Sequence, residues 1–319
     1  MTHVRYARAP SGGFLTDLQG WLSPVLAPPP AAGVQVDVHL RENDVLALYA
    51  GGARVVALAW RAGAVTVSAH KTYATQPCAA PFIGRAWQAG GEFFPRLRAY
   101  LAAVQVKPSD LGGEGAVQSA WSRVTHPWTP IDREAVLGYQ DGDVRMESRR
   151  FPAVQAARRA VATVGRSWKT LDPDKVYGEL DQIGIDDAGQ LVLLELKDAA
   201  AKSSDGVYYS PLQALQYAWE WSSALPSIRD DLLALRRARI QLGLTPATTA
   251  DLGHNLRVAV GFGREKSSIE VRERFDLVLA ICQQFLPPGV HEMEAWRLPG
   301  SAACRVRQAD GRPLGRPKT

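Results

Sequence analysis

The stretch YGELDQIGIDDAGQLVLLELK, residues 177–197, decides how this chain is read. Ile183 and Ile185 alternate with smaller or polar neighbours, and Asp186-Asp187-Ala188-Gly189 carries turn chemistry. Residues 191–196 then form a short, nearly apolar run. The pattern predicts two β-strands joined by a tight turn. Four charges interrupt this core-like hairpin: Glu179, Asp181, Glu195 and Lys197. Side chains alternate faces along a strand, so Glu179 and Asp181 share one side, as do Glu195 and Lys197. Antiparallel pairing can bring both sets to one surface. Buried carboxylates need a partner or a cation, and a divalent metal would answer that need. The plainer reading is a strand pair whose charged edge faces water.

Downstream, residues 210–225 open with Ser210 as an N-cap and Pro211 at the first helical position. Gln213 and Tyr217 lie four apart, on one face of that helix, with Gln216 beside them. Taken alone, they serve equally well as packing and hydrogen-bonding partners of a sheet.

The order D-(x13)-E-x-K followed by a helix with Q-x-x-x-Y resembles the PD-(D/E)XK nuclease superfamily, in its RecB-like branch. The likeness covers residues 147–225, about a quarter of the chain. It implies an α/β fold, α+β overall, with a restriction-endonuclease-like mixed sheet flanked by helices. It also implies a Mg²⁺-dependent deoxyribonuclease, with Mn²⁺ able to substitute. Asp181, Glu195 and the backbone carbonyl of Leu196 would be metal ligands, and Lys197 would be the catalytic ammonium. Gln213 and Tyr217 would steady the lysine region or the DNA backbone. Glu147, near the start of the preceding helix, is a further candidate ligand, and so is Glu179. For Glu147 the alternative is a residue that compensates a helix dipole. Pro173-Asp174 spells the family's literal "PD", but Asp172-Pro173-Asp174-Lys175 has turn chemistry and lies outside the alternating run. The acidic ligand is therefore placed at Asp181.

The rest of the chain sets the context. Its 319 residues suffice for two domains, and 46% hydrophobic with 22% charged residues is a globular composition. No apolar run reaches membrane-spanning length and the N-terminus lacks a signal-peptide segment, which leads us to expect a cytoplasmic protein. Cys78, Cys282 and Cys304 are odd in number and widely spaced, as fits a reducing compartment. The six histidines do not cluster as zinc ligands would. A net charge of +5, a pI near 9.2 and arginine groups at 149–150, 158–159 and 236–239 favour a nucleic-acid partner, DNA first.

Residues 1–107 are expected to form an N-terminal domain of unknown role. It would contain a helix over 14–26, a four-stranded antiparallel meander over 34–70 and a helix over 91–106. Such a domain could support a homodimer or receive a partner protein. Residues 108–130, rich in glycine and proline, read as a linker. Residues 131–299 would be the nuclease-like domain. It would hold helices over 131–140, 146–164, 228–242 and 269–285 and strands over 256–262 and 290–296. The basic tail, residues 300–319, reads as disordered. Restriction, defence and repair are the roles such an enzyme would fit. The rival expectation is a catalytically silent nucleic-acid-binding or protein-interaction protein on the same fold.

Overall fold

The computed structural model describes residues 4–19, 36–61, 63–88, 91–124, 127–139, 150–168, 179–198, 204–247, 251–263, 268–297 and 304–305. The chain is mixed α/β and divides into two compact units. One comprises residues 6–119 and 230–247, and the other comprises residues 1–5, 120–229 and 248–319.

The first unit carries a five-stranded antiparallel sheet in the order β1-β2-β3-β4-β5. Its strands are β1 (Val36–Arg41), β2 (Val45–Ala50), β3 (Ala53–Arg61), β4 (Ala64–Ser68) and β5 (Ala86–Gln88). The expected meander is therefore present with one strand more. β5 is only three residues long and pairs with β4 from beyond a helical turn, so it has no alternation to announce it. Helices α1 (Gly12–Gln19) and α2 (Phe93–Ala103) belong to the same unit. α2 buries Phe93, Leu97, Tyr100 and Leu101, at helical spacing.

The expected linker over 108–130 is mostly regular structure. Pro108–Leu111 is a helical turn, Gly113–Trp121 forms helix α3, and Trp128 opens strand β6 (Trp128–Ala135). Gly115 explains why glycine there is not a sign of a tether. A Cβ at that position would lie 2.4 Å from the backbone nitrogen of Gly52, so the glycine permits close approach of two chain segments. β6 also replaces the helix expected over 131–140.

The second unit is built on a six-stranded sheet in the order β11-β10-β9-β8-β7-β6. The predicted hairpin is β7 (Leu180–Asp186) and β8 (Leu191–Lys197), paired antiparallel with Gln182 opposite Leu194. Helix α4 (Pro152–Val164) precedes it and buries Val154, Ala157 and Val161. From β8 the chain passes through helix α5 (Ser210–Gln241) and returns in β9 (Leu256–Phe262), parallel to β8. Helix α6 (Ile269–Gln283) then leads to β10 (Met293–Arg297), parallel to β9. A parallel neighbour requires a crossover, which is why helices separate these strands. The last strand, β11 (Cys304–Arg305), pairs antiparallel with β10. So part of the expected disordered tail joins the sheet, and residues 306–319 lie outside the described residues.

The sequence predicts two separate helices over 210–242, divided at Pro226. Instead α5 runs unbroken for 32 residues with Pro226 inside it. The ring is exposed, and Leu225, Ile228, Leu232 and Leu235 around it are buried. Burial on both sides outweighs the missing hydrogen bond and ring clash, worth roughly 3 kcal/mol. Among the described residues no helix is long and apolar enough to cross a membrane.

Candidate active site

Of the four hairpin charges, Glu195 and Lys197 pair at the C-terminal end of β8, and Asp181 bonds to the backbone between them. Continuing the β7–β8 register by one step sets Asp181 opposite Glu195, with both side chains on one face. Asp181 Oδ2 accepts a hydrogen bond from the backbone N–H of Leu196 at 2.7 Å. Lys197 Nζ lies 2.7 Å from Glu195 Oε1. Glu195 is only 2% exposed, whereas the lysine side chain retains 16% exposure. A carboxylate this deeply buried needs a compensating partner, and the Lys197 ammonium stands beside it. The Leu196 N–H points toward β7, and a strand residue presents its carbonyl to the same side, so that carbonyl also faces the Asp181 edge.

Helix α5 secures the start of β7. The Tyr217 hydroxyl donates to the Glu179 carbonyl at 3.1 Å, and the ring is buried. Glu179 itself is exposed, so its backbone rather than its carboxylate is engaged by the helix. Gln213, one turn earlier, is half-buried, and Gln216 between them is fully buried. Asp181, Glu195, Lys197, Leu196 and Tyr217 are thus brought to one end of the hairpin. Glu147, like Pro173 and Asp174, lies outside the described residues.

The donor set suits a hard cation. Asp181 and Glu195 offer oxygen ligands and the Leu196 carbonyl a third. Mg²⁺ characteristically takes one or two protein carboxylates and completes its shell with water and substrate phosphate. Among the described residues no cluster of three or more His, Cys, Asp or Glu side chains forms.

Sequence reasoning missed a second charged group, on the opposite face of the same sheet. Arg257 on β9 donates to both oxygens of Glu294 on β10, at 2.9 Å each, and to Asp186 Oδ2 at 3.0 Å. Burial works against its charged form, but the bonds and charges of Glu294 and then Asp186 outweigh this and raise its pKa above the ordinary arginine value. The guanidinium also lies 5.7 Å from the ring centre of Trp128, which stacks on Trp121 at 5.7 Å and meets Trp296 edge-on at 5.2 Å. Gly184 makes room for this. A Cβ there would stand 2.7 Å from Trp128 Cδ1. The pairing of Arg257 with residues 37 and 71 positions away leaves no local sequence signal. A further pair, the Tyr139 hydroxyl on Glu220 Oε1 at 2.8 Å, is equally invisible in the sequence.

Compared with protein-family models, with curated proteins and with solved structures, the chain matches none.

Proposed function

We propose that this chain is a metal-dependent nuclease that hydrolyses phosphodiester bonds in DNA, on a restriction-endonuclease-like core. One observation carries the reading. At the end of a central strand Lys197 pairs with Glu195, and Asp181 of the neighbouring strand is bonded to the N–H of Leu196 between them. Strand order supports it as well: an antiparallel hairpin followed by two helix-linked parallel strands sets the C-terminal ends of β8 and β9 side by side.

Asp181, Glu195 and the Leu196 carbonyl would hold Mg²⁺, with Mn²⁺ as a substitute. The ion supplies neutralising charge for the scissile phosphate and an acidified water. Lys197, tethered to Glu195 yet partly open to solvent, orients the attacking water or offsets charge on the phosphoryl oxygens. Tyr217 acts through the Glu179 carbonyl as a positioning residue, holding the strand that carries Asp181. Gln213, one helical turn before Tyr217 on α5 and half-buried, would steady the same region.

Purified protein incubated with Mg²⁺, Mn²⁺ or EDTA on circular, linear and single-stranded DNA tests the reading. Metal-dependent cleavage should disappear in Glu195→Ala and Lys197→Ala while circular dichroism stays unchanged. Cleavage retained by both variants would defeat it. Metal-independent binding with no cleavage of any form would leave a silent nucleic-acid-binding protein instead.

A further inference from the structure

The second unit contains a cavity of about 370 Å³, walled by α4 and the first turn of α5. Arg158, Arg159 and Arg166 line it together with Trp168, Tyr209 and Leu212. No carboxylate is among its described lining residues. Three arginines among the lining residues, Arg159 and Arg166 exposed and Arg158 half-buried, make the cavity basic, and guanidinium has the fork geometry that suits phosphate oxygens. The remaining wall is apolar and aromatic, which a phosphate alone would not use.

That wall is built and held. Trp168 meets Tyr208 edge-on at 5.4 Å and lies 6.4 Å from Tyr209, while the two tyrosine rings are 4.5 Å apart. Arg274 from α6 sits 5.2 Å from the indole centre and 5.4 Å from that of Tyr208. Glu270 pairs with the same guanidinium from one turn earlier. Gly165 is the seat of the indole: a Cβ there would come within 2.6 Å of Trp168 Cε3. The ring is therefore fixed at the cavity edge rather than free to swing. Tyr209 joins the cavity wall to the first turn of α5, where its carbonyl accepts from the N–H of Gln213 at 3.4 Å.

We propose that this cavity receives one nucleotide unit of the substrate strand, its phosphate on the arginines and its sugar and base against Trp168 and Leu212. The identity of the polymer rests on the nuclease reading; the chemistry of the cavity does not. A mononucleotide, a strand terminus or an internal nucleotide would each present the same groups.

The test is binding of a fluorescein-labelled single-stranded oligodeoxynucleotide by anisotropy in EDTA, where no cleavage can occur. Arg158→Gln/Arg159→Gln/Arg166→Gln should weaken binding about tenfold or more. It should also flatten the dependence on salt by about 0.7 in log–log slope for each phosphate that is no longer neutralised. Arg159 and Arg166 are exposed, so the double variant of those two serves if the triple variant does not fold. In competition, dAMP should displace the strand better than inorganic phosphate. Trp168→Leu should reduce that preference about fivefold, with phosphate itself unaffected. Dependence on the arginines only when the strand carries a 5′-phosphate would assign the cavity to a terminus. Equal dependence without it would assign an internal nucleotide. Binding by the arginine variant within twofold of the parent, or no dAMP preference, overturns the proposal. Glu195→Gln separates the two readings: it should abolish cleavage and leave this binding intact. A protein that binds in this way but never cleaves would retain the cavity and lose the nuclease.

Discussion

Two groups of buried charge occupy opposite faces of one sheet, and they are finished differently. On one face Arg257 is forked across Glu294, holds Asp186 as well, and the indole N–H of Trp296 adds a bond to Glu294 Oε2 at 2.6 Å. These donors and acceptors satisfy one another at the end of the sheet where β7 turns into β8 and where β9 and β10 begin. On the other face Lys197 and Glu195 meet at the C-terminal end of β8, the opposite end of the strands. The side chains of Lys197 and Arg257 are 16% and 22% exposed, so place and partners distinguish the two groups rather than access to water. Charge closed on itself holds strands together. Charge left at an opening can be turned toward a substrate. The contrast separates a structural use of buried ions from a chemical one more clearly than burial alone, since Glu195 and Glu294 are both under 5% exposed.

Matched substitutions break or sharpen that contrast. Glu195→Gln should lower metal-dependent cleavage about a thousandfold at nearly unchanged melting temperature, read by initial rates beside a thermal melt. Glu294→Gln should do the reverse, keeping the rate per folded molecule while lowering the melting temperature. Equal rate losses in the two would erase the distinction. Arg257→Ala strands two carboxylates and should cost about 3 kcal/mol in urea unfolding, the low end for a broken buried pair because the guanidinium is 22% exposed. Gly184→Ala pushes a methyl toward Trp128 and should cost about 2 kcal/mol by the same measurement. Tyr217→Phe removes one hydrogen bond to a backbone carbonyl and should cost about 1 kcal/mol. Any additional fall in cleavage rate in that variant would report displacement of the β7 start.

The hairpin is legible because its signal is local. Alternation and a turn written in four residues suffice for β7 and β8, and period two then dictates that Glu195 and Lys197 share a side. Strand β6 is not legible, for the same reason in reverse. It carries Asp132, Arg133 and Glu134 in succession, its register shifts between Pro130 and Asp132, and Glu134 adopts a left-handed φ of 51°. A bulge destroys the alternation that would have marked a strand. Asp132 and Arg133 are nonetheless buried, at 2% and 0% exposure, because the fold and not the local pattern chooses their surroundings. Pro226 is a comparable case: the rule that proline ends a helix yields when apolar residues on both sides are buried. Of the candidate site, the same-strand pair can be read directly. The Asp181 bond to a backbone N–H and the Tyr217 latch depend on register and on a helix, with partners 15 and 38 residues apart.

Asp186 also works as a length gauge. Its Oδ1 takes the N–H groups of Ala188 and Gln190 across the bend, while Oδ2 grips Arg257 on a different strand. The bend is thereby clamped to β9, and the number of residues between the clamp and Lys197 fixes which side every later side chain takes. Inserting a single alanine between Gln190 and Leu191 would carry Glu195 and Lys197 over to the tryptophan side and bring leucines to the opening. Inserting two would restore the parity, so spacing here is constrained in odd steps and more forgiving in even ones.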